Sequence, residues 1–209
     1  MKTAKKAMLM TLCAIILVVA TVFGTMAYLT STDEVVNTFT VGNVAIKLDE
    51  AKVGTDGKAL TGADATRVKE NSYKLLPGHT YTKDHTIHVD AVSEDSYIFV
   101  KVENGIASYE APFSAEEGGY RTIADQIKAN GWTALESAAD VYYREYTKSR
   151  AGSDFAVFGT FKIADNANDV EGWGSCDAQV AVTAYAVQKD GFDTASAAWM
   201  ATFGKTVGP

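Results

Sequence analysis

Apolar and polar positions change their spacing several times along this chain, and each change predicts an element. Residues 7 to 29 carry no charge at all and follow three lysines, Lys2, Lys5 and Lys6. Past Gly42, which marks a bulge, Val44, Ile46 and Leu48 alternate with Ala45, Lys47 and Asp49, the period of a strand with one buried face. Residues 50 to 71 turn polar and glycine-rich, with Gly54, Asp56-Gly57 and Gly62, and read as a long hairpin or surface loop. Pro77-Gly78 is a turn. Strands are predicted over 81–92 and 97–102, the second rich in β-branched and aromatic residues. The short polar link Ser93-Glu94-Asp95 between them predicts a hairpin.

One helix is written clearly in the middle of the chain. Thr122 with Asp125 three residues on forms a capping box, Ile123 and Ile127 lie one turn apart, and Asn130-Gly131 supplies the stop. Alternation returns over 141–148, 155–163 and 179–188. Phe155, Val157, Phe161 and Ile163 are expected on one face, and Val180, Val182, Ala184 and Ala186 on another. Asp190-Gly191 ends the last strand, and residues 194–202, alanine-rich and carrying Trp199, predict a short terminal helix. Strands separated by turns with few helices between them argue for a mainly β fold, an antiparallel β-sandwich or jelly roll with a few short helices.

The start of the chain has the basic head and apolar core of a secretory signal. Small residues close the run at Gly24-Thr25-Met26-Ala27, so a signal peptidase is expected to cut after Met26 or Ala27, with Thr25, Met26, Ala27 and Tyr28 framing the cut. The same 23 uncharged residues can just span a hydrocarbon core of roughly 30 Å, so a retained anchor is the alternative. Thr21, Gly24 and Thr25 interrupt the run and favour cleavage. The chain then divides into a signal helix over 1–27, an extended arm over 28–41 and a β domain over 42–209.

Behind the cut stand Gly24-Thr25-Met26-Ala27-Tyr28-Leu29-Thr30 and Asn37-Thr38-Phe39-Thr40-Val41-Gly42-Asn43-Val44. Pro77-Gly78-His79-Thr80-Tyr81-Thr82-Lys83-Asp84 and Val182-Thr183-Ala184-Tyr185-Ala186-Val187-Gln188-Lys189-Asp190-Gly191-Phe192-Asp193 follow further on. Together these segments resemble the exported clients of the SipW-type signal peptidase of Gram-positive bacteria, the TasA/camelysin family, with Leu29 where an aromatic residue is more usual. The resemblance runs from the signal to near the C-terminus. It implies a jelly-roll sandwich, processing by a SipW-type peptidase, and a place in the biofilm matrix or on the cell surface. Fibre assembly by strand donation is implied too, with Tyr28, Leu29, Val35, Val36 and Phe39 of the arm as anchors and a head-to-tail homo-oligomer as the product; the alternative is an arm that folds back as the domain's own first strand.

Charge agrees with export and excludes some partners. Three of the 19 basic residues and none of the 26 acidic ones lie in the first 26 positions, so the remainder carries a net charge of −10. That balance speaks against nucleic acid and anionic lipid, leaving membrane contact only through an uncleaved signal. Of the two cysteines, Cys13 lies in the signal and Cys176 stands alone, so no internal disulfide is expected.

Candidate chemistry is sparse. His79, His85 and His88 fall close together, yet the odd spacing of His85 and His88 puts them on opposite faces of a strand. No HExxH occurs, which leaves the camelysin-type metallopeptidase alternative without its ligand pair and general base. Residues 165 to 171, Asp-Asn-Ala-Asn-Asp-Val-Glu, are rich in oxygen ligands but fail the EF-hand pattern at Ala167, Val170 and Cys176, which leaves a solvated loop or, as the alternative, a weak extracellular calcium site. Gly174-Ser175-Cys176 lacks the closing glycine of a nucleophile elbow. Tyr142-Tyr143-Arg144-Glu145-Tyr146 reads either as a binding face or as aromatic cross-strand pairing. The sequence therefore predicts a non-enzymatic structural protein without a cofactor; a membrane-anchored surface binding module is a further alternative.

Overall fold

The alternating stretch after Gly42 folds as strand β1 (Ile46–Ala51), and nine more strands follow it among the described residues. They are β2 (Arg67–Val68), β3 (Thr80–Thr82), β4 (Thr86–Val89), β5 (Ser96–Asn104), β6 (Thr133–Ala134), β7 (Val141–Tyr146), β8 (Ser153–Ala156), β9 (Thr160–Lys162) and β10 (Val180–Gln188). Two helices accompany them, α1 (Ile123–Ala129) and α2 (Ala195–Thr202). The computed structural model describes residues 44–112, 114, 121–173 and 179–204. The signal helix over 1–27 and the arm over 28–41 lie outside them.

All strand pairs are antiparallel, and the fold is mainly β. One sheet runs β2-β1-β4-β8, a second runs β10-β5-β7-β6, and β3 pairs with β9 on its own. β5 organises the second sheet because its sequence is apolar on both faces. Ile98, Val100 and Val102 point into a core shared with Val44, Ile46, Ile87 and Val89 of the first sheet, with Ile123 and Ile127 of α1, and with Phe158, Phe161 and Ile163. Tyr97 and Phe99 point the other way, into a second cluster with Val187 of β10 and with Ala198 and Trp199 of α2. A strand covered twice belongs in the middle of a sheet, between long neighbours. It is paired along all nine residues with β10 and along six with β7.

This double burial overturns the expected hairpin of 81–92 with 97–102. The first run breaks into β3 and β4 at Lys83, Asp84 and His85. β4 pairs with β1 and β8, while β5 pairs in the other sheet. Residues 93–95 carry the chain from one sheet to the other. Ser93 Oγ holds both the N–H and the carbonyl of Ala45, and Asp95 accepts from the backbone of Lys148 and Lys189. The run 155–163 divides as well. Val157 and Phe158 are both fully buried, which the expected strand with one exposed face does not allow; β8 joins the first sheet and β9 joins β3.

Other local expectations hold. Thr122 caps α1, its Oγ1 accepting from the N–H of Asp125, and Ile123 and Ile127 are buried; Gly131 follows with a positive φ of 84°. Thr194 caps α2 in the same way. Leu76-Pro77-Gly78-His79 makes a turn closed by His79 N–H to Leu76 O, and Gly78 takes the positive φ of 75° that this turn requires. The polar stretch 50–71 does connect a pair of antiparallel strands, β1 and β2.

Candidate functional site

Sheet edges in this fold are short, with one exception. β2 and β6 have two residues each and β8 has four, whereas β10 has nine. Among the described residues no strand pairs with its outer side. The direction of its backbone groups follows from the ladder. Gly105 N–H bonds Gln179 O and Lys189 N–H bonds Asp95 O, so the odd-numbered residues of β10 bond inward to β5. Val180, Val182, Ala184, Ala186 and Gln188 consequently turn their N–H and C=O groups to the open side. The side chains of the first four lie toward the shared core, with Ala184 and Ala186 buried and Val180 and Val182 packed against it. β10 also comes within 8 Å of β1, Cα to Cα, without ladder pairing. Such an edge can accept one further strand through main-chain hydrogen bonds.

The second feature is a cluster of charges where polar residues were expected at the surface. Asp49 is buried, and Glu50, placed at the start of a polar loop by its neighbours, is 0% exposed. Lys83 Nζ lies 3.3 and 3.2 Å from the two Glu50 oxygens. Arg67 of β2 donates from Nε to Asp49 Oδ1 and from Nη1 to Asp84 Oδ2 at 3.1 Å. Lys47 Nζ is 2.7 Å from the other Asp49 oxygen, and His88 Nε2 is 2.9 Å from Asp49 Oδ1. Asp84 also accepts from the N–H of Ala51. The Lys83-Asp84 pair of the Pro77–Asp84 segment thus clamps β1, β2 and the β3–β4 link together.

Burial and hydrogen bonding together set the protonation of these groups. Burial raises the Glu50 carboxyl, although Lys83 beside it works in the opposite direction. For Asp49 burial also pushes upward, but hydrogen bonds from Lys47, Arg67 and His88 outweigh it and hold the carboxyl at about 2. His85 is buried against the Phe158 ring, 5.2 Å away, with its Nε2 4.0 Å from Glu50. Burial, with the charges of Lys83 and Arg67, lowers it to about 3, so it is neutral at ordinary pH. Burial likewise raises the Tyr73 hydroxyl.

The three histidines do not converge. His79 sits exposed at the turn with Nδ1 3.2 Å from Pro77 O, His85 is buried by Glu50, and His88 lies between Asp49 and Asp154. Residues 165–171 include a short 3-10 turn, Ala167–Asp169, with Ala167 buried, and Asp165 lies over Gly78. The tyrosines of β7 serve packing. Tyr146 is buried in the shared core, Tyr143 stands across from Phe99 in the ladder, and Arg144 lies 4.6 Å over the Phe155 ring. The cleavage residues Thr25, Met26, Ala27 and Tyr28, the anchors Leu29, Val35, Val36 and Phe39, and Cys176 lie outside the described residues.

Compared with protein-family models, curated proteins and solved structures, the chain matches none. Sequence reasoning missed Asp49, Glu50, Arg67 and His85 as a joint cluster. The available signal was the crowding of Lys83, Asp84 and His85 inside an otherwise apolar strand pattern.

Proposed function

We propose that the protein is an exported structural subunit of the cell surface or biofilm matrix, of the TasA/camelysin kind, that assembles head-to-tail by strand donation. The two four-stranded sheets are read as the layers of a jelly-roll-like sandwich around their common core. The observation that carries the reading is the outer edge of β10, nine residues long, with five residues directing backbone groups outward and four of them, Val180, Val182, Ala184 and Ala186, directing apolar side chains inward. The occupant is the arm of a second copy, Tyr28 to Phe39, whose Leu29, Val35, Val36 and Phe39 supply apolar anchors. A SipW-type signal peptidase frees this arm only on export, which confines assembly to the outside of the cell. Because donor and acceptor are different surfaces, the contact propagates into a filament and does not close as a two-fold dimer.

The test deletes Tyr28 to Val36 from the mature protein and compares both forms by electron microscopy and sedimentation. Filaments from the mature form, and a folded monomer from the shortened one, are expected. Filaments from both would refute assembly through this arm.

A further inference from the structure

Lys83 holds Glu50 at the β1 seam and Asn71 holds the backbone of the residues that follow Glu50, and strand donation uses none of the three. The Lys83 amine is buried, in contact with both Glu50 oxygens and 5.3 Å from the Tyr73 ring centre. Hydrogen bonding from the Asn71 side chain works with Lys83 against the upward push of burial on the Glu50 carboxyl, and the Asn71 amide is fixed by the backbone of the β1 end. Nδ2 donates to Ala51 O at 2.8 Å, and Oδ1 accepts from Val53 N–H at 3.0 Å. Tyr73, Tyr81 and Phe161 stack and abut one another beside them, at centroid separations of 4.9 to 5.9 Å. A buried amine, a carboxyl and a carboxamide whose oxygen receives a backbone N–H are the parts of an acyl transfer.

We propose that Lys83 and Asn71 become joined by an intramolecular amide bond, formed by the folded protein itself with Glu50 as the proton carrier. The ammonium first gives a proton to Glu50, leaving a neutral amine and a neutral acid. Burial favours this exchange, because two charges in an apolar surround cost more than two neutral groups. The upward push of burial on the Glu50 carboxyl acts in the same direction. The amine lone pair then attacks Cγ of Asn71, and the π pair of the carbonyl moves onto Oδ1. The Val53 N–H stabilises the charge that develops there, as a backbone donor does in an oxyanion hole. Glu50 passes its proton to Nδ2, the Cγ–Nδ2 bond breaks, and ammonia leaves as the carbonyl reforms. The surplus proton on the new amide nitrogen returns to Glu50. Five hydrogens enter on the ammonium and the amide; one stays on the new amide, three leave with ammonia and one rests on Glu50. No oxidant, cofactor or water is consumed.

The bond would tie residue 71 to residue 83 across the Pro77-Gly78 turn and lock the charged seam covalently. Intact-mass spectrometry of the purified, fully denatured mature protein tests it directly. The expected mass falls short of the sequence mass by one ammonia, and a protease digest yields a branched peptide joining the Asn71 and Lys83 segments. Glu50→Gln and Lys83→Met are each expected to restore the full sequence mass. Wild-type protein that is folded by circular dichroism yet has the full mass would overturn the proposal. So would an ammonia loss that persists in Lys83→Met, because it would mark a succinimide at Asn71-Ser72. The measurement on wild-type protein decides even if a variant does not fold, and its outcome is independent of whether filaments form.

Discussion

Replacing His85 with glutamine is expected to flatten the acid side of the stability profile. In the folded protein burial and the nearby Lys83 and Arg67 charges hold His85 at about 3, against an ordinary value of 6.5. Between those values the unfolded chain binds a proton that the folded chain refuses. Its contribution to stability is therefore complete above 6.5 and is lost progressively as pH falls toward 3. At about pH 5 the unfolded ring gains about 1.5 × 1.36, or roughly 2 kcal/mol, relative to neutral conditions. Glu50 acts with the opposite sign, since burial raises its folded value and protonation in acid relieves it. Asp49, held at about 2, contributes only below the ordinary carboxylate range. Both groups are present in wild type and variant, so the difference between the two pH profiles isolates His85. Urea denaturation at pH 7.5 and 5.0 reads it out. The wild type is expected to lose about 2 kcal/mol more than His85→Gln over that interval. Equal losses would show that the ring is not held neutral by the fold.

Phe99→Ala or Phe161→Ala removes a fully or almost fully buried ring, and a loss of about 3–5 kcal/mol is expected in denaturant titrations; an unchanged midpoint would refute their place in the core. Thr122→Ala strips the cap of α1 and is expected to cost about 1 kcal/mol, read by the same titration. Val182→Pro removes an N–H from the open side of β10 while leaving the odd-numbered bonds to β5 in place, so folded monomer without filaments is expected by sedimentation and circular dichroism. Placing arginine at both Thr25 and Ala27 is expected to block signal cleavage, since the peptidase accepts small side chains near the cut, and N-terminal sequencing of the released protein checks this.

Features that depend on a few neighbouring residues were legible in the sequence. The cap at Thr122, the stop at Asn130-Gly131, the Pro77-Gly78 turn and the terminal helix with Trp199 are all local, and all are present. Strand positions were mostly legible too, because alternation is local. Pairing was not. Ser93-Glu94-Asp95 resembles a hairpin link, and only the need to bury Tyr97 and Phe99 as well as Ile98 and Val100 sends β5 to another sheet. Phe158 is fully buried beside Val157, which conceals a sheet change inside an apparently continuous run. The charged cluster was hidden for a different reason. Glu50 meets Lys83 at a separation of 33 residues and Asp49 meets Arg67 at 18, so each charge by itself carries the pattern of a solvated surface residue. That β10 has no outer partner among the described residues was equally invisible, since an edge is a property of the whole sheet and not of the strand's own residues.

The two-residue alternation along β10 also limits how imprecisely an incoming strand could settle there. Outward-facing N–H groups recur at Val180, Val182, Ala184, Ala186 and Gln188, so a donor sliding by one residue would either present carbonyls to carbonyls or, turned over to restore its hydrogen bonds, carry its apolar side chains to water. A slide by two residues would restore every hydrogen bond and cost only the mismatch of side chains. Slippage would therefore come in steps of about 7 Å, twice the antiparallel rise. The axial repeat of a filament built on this edge would show discrete spacings separated by that step, not a continuous spread.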